Sequence, residues 1–367
     1  MADAAFSPAS ASKGVGAHLL TKKERHFMQE NEKQTVVIAD YDYGNVDIER
    51  AIIEGAGFKL VTAQCKSQDD VIDIARDAHA VIAQYAHVGA KAINAFTHCR
   101  VIARYGTGVD IVDVDAATRR NILVTNVPND WCENEVADHA MALLLAIARK
   151  LRDYDRATRA GVWRWQSGQP IYRLRGRILG LLSFGAIARA IAARATGFGM
   201  RVIAHDPYMA AADIAAHGAT PVSFDALIEQ ADYLVIQAPL TSETQNLIGE
   251  AQLHRMKPSA VLINTARGPI INDGALYRAL KEGWIAGAGL DDIEEEPAKQ
   301  HDWKPTNPLF GLDNVIITPH AAYYSEEAIR TVRDFAAQEV VRVLTGKPPL
   351  SPVNAVQLAN ANPTGSA

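Results

Sequence analysis

The chain has 367 residues, 48% hydrophobic and 22% charged, an ordinary globular make-up whose length suggests two to three domains. Its net charge of -5 is spread without long basic or acidic blocks, which argues against nucleic acid or a membrane surface as partner and leaves a small molecule. The three cysteines, Cys65, Cys99 and Cys132, are odd in number and widely spaced; they define neither a disulfide framework nor a metal site and fit a reducing cytoplasm.

Residues 1–34, rich in Ala and Ser and then in Lys and Glu, lack the apolar core of a secretion signal and are expected to form a flexible extension. From Thr35, short β-branched runs ("TVVIAD", "FKLVTAQ", "AVIAQYA", "RVIARYG", "NILVTNVP") alternate with helix-period segments, which reads as a parallel sheet covered by helices. A long apolar-periodic stretch beginning near Asn134, "NEVADHAMALLLAIARKLRDYDRAT", is expected to be one helix linking two domains. A second alternating series follows, with six strand candidates: "RILGLL", "RVIAHD", "DYLVIQAP", "AVLINTA", "IAGAGLD" and "NVIITPH". The amphipathic segment Ser325 to Gly346 is expected to return to the first domain. The expected fold is therefore α/β, two doubly wound parallel sheets of Rossmann or flavodoxin type with a cleft between them. The first domain takes residues 35–133 plus 323–350 and the second 134–322; a tail of little order, 351–367, follows.

Between "RILGLL" and an Ala-rich helical run lies "GLLSFGAIAR", where the dinucleotide-binding pattern G-x-G-x-x-G reads Ser183-x-Gly185-x-x-Ala188. Gly185 would let the backbone approach a diphosphate, Ala188 still permits close helix packing, and Ser183 tolerates the turn provided its φ stays negative. The helix that follows points free N–H groups and a positive dipole end at an anion. Asp206, at the end of the next strand and about 20 residues on, would accept from a ribose hydroxyl and repel a 2′-phosphate, favouring NAD(H) over NADP(H). Alone, so degenerate a motif is equally a tight packing turn.

Three further stretches decide the context: "LINTARGPIIND" (Leu262 to Asp273), "GAGLDDIEEEP" (Gly287 to Pro297) and "NVIITPHAAYYSEEA" (Asn314 to Ala328). Together with the turn, in this order and spacing over residues 35–350, they resemble the D-2-hydroxyacid dehydrogenase family. The resemblance implies NAD(H)-dependent hydride transfer between nicotinamide and a small 2-keto or 2-hydroxy acid. It makes Arg267 the substrate anchor, His320 the proton donor and Glu296 the acid beside it. The chemistry is apt: a planar guanidinium suits a carboxylate, and a carboxylate-paired imidazolium is a competent acid near neutral pH.

The same resemblance assigns cofactor contacts to Thr107, Leu182, Ser183, Phe184, Gly185, Ala186, Ile187, Ala238, Pro239, Thr265, Ala266 and Asp291, besides Asp206, Arg267 and His320. It assigns substrate contacts to Arg104, Tyr105, Gly106, Thr107 and Tyr323, with Arg267 and His320. Within the family, "RVIARYGTGVD", "NTARG" and "TPHAAYYSEEA" look most like the C-terminal-binding protein branch of NAD(H)-binding co-repressors. That leaves an enzyme and a cofactor-gated scaffold as alternatives. Tyr105, Trp131, Tyr323 and Tyr324 suggest an aromatic pocket for an apolar or aromatic side chain on the keto acid. The unusually apolar linking helix, in this family part of a two-fold interface, implies a homodimer.

Overall fold

The computed structural model describes residues 34–128, 131–294 and 304–361. The first domain holds a parallel sheet of β1 (Thr35–Ile38), β2 (Lys59–Thr62), β3 (Ala80–Ala83), β4 (Val101–Arg104) and β5 (Leu123–Thr125), in the order β2-β1-β3-β4-β5. Helices α1 (Asp47–Gly55), α2 (Gln68–Ala75), α3 (Ala90–Ala95) and α4 (Val114–Arg119) connect them. Val36, Val37 and Ile38 are all fully buried, because helices cover both faces of a parallel sheet.

The second domain carries β6 (Ile178–Leu182), β7 (Arg201–His205), β8 (Thr220–Pro221), β9 (Tyr233–Ile236), β10 (Val261–Asn264), β11 (Gly287–Leu290) and β12 (Val315–Ile317). Their order is β12-β11-β10-β9-β6-β7-β8, all parallel. All six expected strands are present; β8 adds a two-residue edge whose Pro221 an edge position tolerates.

The expected linking helix is two helices, α5 (Glu133–Ala148) and α6 (Leu151–Arg159), broken where Lys150 takes a left-handed φ of 56°. Beyond the break Arg152 donates to the carbonyls of Val315 and Asp313, redirecting the chain along the β12 edge. α5 packs on α7 (Ala186–Gly197) and across β10 and β11, so it belongs to the second domain. That domain is completed by α8 (Ala211–Ala216), α9 (Phe224–Gln230), α10 (Glu250–Arg255) and α11 (Asp273–Glu282).

The chain crosses back after β12, and α12 (Glu326–Leu344) packs on α1, β3 and β4 of the first domain. A buried ion pair pins it there: Arg333 donates to both carboxylate oxygens of Glu49 at 2.8 Å, and the Tyr105 hydroxyl donates to the same group at 2.9 Å. The tail departs from expectation. The buried Glu339 carboxylate accepts from the amides of Leu350 and Ser351, and buried Asn354 accepts from Val124 N–H and donates to the Ile122 carbonyl. With these polar groups satisfied, 350–354 belong to the first domain and lead into α13 (Ala355–Ala361).

Candidate active site

A cavity of about 650 Å³ opens between the domains at the carboxyl ends of both sheets, where open α/β sheets take their ligands. Its floor on the second domain is the turn from β6 into α7. Ser183, Gly185, Ala186 and Ile187 line the cavity, whereas Leu182 and Phe184 are buried behind it in the core. A β-carbon added to Gly185 would meet nothing within 4 Å, so the backbone of the helix N-terminus is open to a ligand there. The free N–H groups of that first turn suit a diphosphate, and the cradle fits a dinucleotide.

Ser183 does not keep the negative φ expected of it: φ is +76°. This first motif position takes the left-handed conformation that glycine adopts freely and serine adopts at a cost of about 1–2 kcal/mol. The surroundings offset the strain. Its amide donates to the His205 carbonyl at 2.8 Å and its hydroxyl donates to Asp206 Oδ2 at 3.2 Å, the oxygen that also accepts from Phe184 N–H at 2.9 Å. Asp206 thus braces the turn from the end of β7, and its other oxygen accepts from Tyr208 N–H.

From the neighbouring strands come Ala238 and Pro239 after β9, and Thr265, Ala266 and Arg267 after β10; all line the cavity. The Arg267 loop is pinned from below: the fully buried Asn264 side chain accepts from Ala266 N–H and donates to the Arg267 carbonyl, and Asp292 accepts from Gly268 N–H. The Arg267 guanidinium reaches across the cleft to Asp110 of the first domain, with Nε and Nη2 each 3.3 Å from Oδ1.

His320 follows β12 with a left-handed φ of 52°. It is held there by Asp291, a hub that is 2% exposed. The Asp291 carbonyl accepts from His320 N–H at 2.7 Å, and its carboxylate accepts from the amides of Ala321 and Ala322 and from the Thr318 hydroxyl at 2.6 Å. His139 of α5 completes the group, with Nε2 2.9 Å from Thr318 Oγ1. The His320 ring stands between two tyrosines, edge-on to Tyr85 of the first domain at 6.2 Å and to Tyr323 at 6.0 Å between centroids. Glu296, expected beside it, lies outside the described residues.

The first domain contributes Arg104 at the end of β4 and the loop Tyr105, Gly106, Thr107. The Gly106 N–H turns back onto the Arg104 carbonyl at 3.0 Å and so is engaged within its own loop rather than turned to a substrate. The Thr107 hydroxyl accepts from Trp131 Nε1 at 3.1 Å. The expected aromatic pocket is corrected in two places. The Tyr105 ring belongs to the first-domain core with its hydroxyl on Glu49, and Tyr324 is 57% exposed with its hydroxyl on Glu326. Trp131 and Tyr323 do face the cleft, joined by Tyr43, Gln84 and Tyr85, which sequence reasoning missed. Gln84 and Tyr85 follow β3 directly, and their place at the carboxyl end of a parallel strand is the signal that could have found them. Cys132 also lines the cleft, but burial and then Glu135 push its thiol up to about 12, which makes it a packing residue.

Residues 141–322 match the model of the D-isomer specific 2-hydroxyacid dehydrogenase NAD binding domain. A glyoxylate reductase of Korarchaeum cryptofilum is 39% identical over 292 residues, 78% of this chain and 86% of that protein. The chain belongs to the D-isomer-specific 2-hydroxyacid dehydrogenase family. It is an oxidoreductase acting on CH–OH donors, and its two α/β domains superpose on solved relatives. D-lactate dehydrogenase of Aquifex aeolicus, solved with NAD and lactic acid, matches with a TM-score of 0.78 at 25% identity, covering 85% of this chain and 96% of that one. An NADPH-dependent glyoxylate/hydroxypyruvate reductase of Sinorhizobium meliloti, solved with NADP, matches with a TM-score of 0.76 at 28% identity, covering 89% and 98%. Members of this fold therefore use either cofactor.

Proposed function

We propose that this family member is an NAD(H)-dependent 2-keto acid reductase in which Arg267 anchors the substrate carboxylate and His320 moves the proton. The observation that carries the reading is convergence. Arg267 from β10 and His320 from β12 enter one cleft above the open N-terminus of α7, each on a loop pinned by buried side chains. The bound nicotinamide supplies or accepts the hydride. Arg267 holds the carboxylate, with the Thr107 amide as a second donor, and polarises the adjacent carbonyl. His320 gives its proton to the carbonyl oxygen as C2 gains the hydride, and takes it back in the oxidative direction. Glu296 is the acid that the family resemblance assigns to act with His320.

NAD(H) is the cofactor this site favours over NADP(H). Asp206 would meet the adenosine ribose of a dinucleotide with a carboxylate, and the Tyr208 hydroxyl donates to Glu243 nearby. No Lys or Arg occurs between Val202 and Phe224 to meet a 2′-phosphate. The partner chain is a second copy, through α5, α6 with its exposed Leu151, and the exposed apolar residues Val162, Trp163 and Trp165 that follow.

The test is loss of NADH absorbance with a panel of 2-keto acids, repeated with NADPH. Turnover with NADH is expected. Tight NADH binding with no turnover on any acid would instead favour the co-repressor-like scaffold that the motifs of this branch also allow, and NADPH preferred over NADH would overturn the cofactor reading.

A further inference from the structure

The two arginines of the cleft are not equivalent. Arg267 has a partner in Asp110, whereas Arg104 has neither a hydrogen bond nor an ion pair to its guanidinium among the described residues, and its Nε is sealed from solvent without an acceptor. Burial, and then the like charge of Arg267, push its pKa down, yet an arginine in a protein stays charged. Asp110, the acid whose charge acts on Arg104, is paired with Arg267, and the buried Asp40 carboxylate accepts from the amides of Gln84 and Tyr85. A half-buried guanidinium without an acceptor is an uncompensated charge, and an anion bound there would satisfy it.

The arginines also stand apart along one loop. A β-carbon on Gly106 would lie 2.2 Å from Arg104 Nη1, and one on Gly108 would lie 2.2 Å from Arg267 Nη2, so each guanidinium is laid against a different glycine of the same turn. The like charge of Arg267 acts on Arg104, so both guanidiniums face one cavity near enough for a short molecule with an anionic group at each end to meet both. The wall around Arg104 is polar: Gln84, Tyr43, Tyr85 and Tyr323 line the same end of the cavity.

The geometry points to a 2-oxo dicarboxylic acid as the substrate class, its first carboxylate on Arg267 and its second, at the end of the side chain, on Arg104. This rests on the reading of Arg267 and His320 given above and departs from the apolar side chain that the aromatic residues suggested. The redox step is unchanged: NADH loses a hydride to C2, the carbonyl oxygen takes the His320 proton, and the second carboxylate stays intact.

The experiment compares kcat/KM with NADH for acids of matched chain length, 2-oxoglutarate against 2-oxopentanoate and oxaloacetate against 2-oxobutyrate. The dicarboxylates are expected to win by roughly 10- to 100-fold, the worth of one charge-assisted contact. In Arg104→Gln that ratio should collapse toward one, while Arg104→Lys should retain part of it; NADH binding measured by fluorescence reports that each variant is folded. Equal losses on both acids of a pair in Arg104→Gln would put both arginines on one carboxylate and overturn the proposal. So would a wild-type preference for the monocarboxylates. Absence of turnover on every acid would instead strike the dehydrogenase reading beneath it.

Discussion

Replacing Ser183 by glycine separates two properties of the cofactor turn. Serine holds φ +76° there, a strain of about 1–2 kcal/mol that glycine removes, set against about 0.5–1 kcal/mol of extra chain entropy for glycine and one lost hydrogen bond to Asp206 of about 1 kcal/mol. The terms nearly cancel, so Tm should move by no more than a few degrees. Affinity follows a different term. The strain is present with and without cofactor, but the hydroxyl occupies Asp206 Oδ2, an oxygen the ribose would use. Freeing it should leave NADH binding unchanged or up to about fivefold tighter, roughly 1 kcal/mol. Ser183→Ala keeps the strained β-carbon and loses the hydroxyl, so it should show the same Kd as glycine with a lower Tm. Fluorescence titration with NADH and thermal melts read both quantities. A tenfold or greater weakening in Ser183→Gly would mean that the hydroxyl itself contacts the cofactor, and the argument would fail.

Arg267→Ala should raise KM and lower kcat together, whereas His320→Ala should abolish the chemical step with NADH binding intact; normal turnover in the latter removes His320 from the mechanism. Asp291→Asn keeps the size of the hub but weakens its grip on the His320 loop, so kcat should fall at least about tenfold; unchanged kcat would show that the loop holds itself. Asp232, although burial alone would raise its pKa, is held below the usual carboxylate range by Ile178 N–H, Lys257 and Arg177. Because its folded pKa is depressed, its contribution is present above pH ~4 and lost as pH falls through the folded value, so Asp232→Asn should flatten the acid limb of the Tm profile. Light scattering at micromolar concentration should report a dimer, and Trp163→Glu with Trp165→Glu should produce monomer; a wild-type monomer would refute the interface.

Much of this was legible because it depends on local pattern. The apolar runs that became β1 to β7 and β9 to β12 are short and mostly buried, and ligands of such sheets sit at their carboxyl ends, so the loops carrying Arg267 and His320 could be read as strand ends while their roles came from the family resemblance. What escaped depends on backbone geometry or on distant partners. The left-handed Lys150 that breaks the linking helix and the left-handed Ser183 are conformations that a sequence pattern leaves open. The Asn354 contacts that tie down the tail span over 200 residues, as do those of Glu49 with Arg333. Asp110 against Arg267, and Tyr85 against His320, arise only when two domains face each other.

The loop clasped by Asp291 is also the second crossing between the domains: His320 leads through Ala321 and Ala322 to α12, which is bolted to the first domain by Arg333. The strap that carries the His320 ring is thus tied at both ends, to the second-domain sheet through Asp291 and to the first domain through Arg333, so the ring's position is coupled to the relative placement of the two domains.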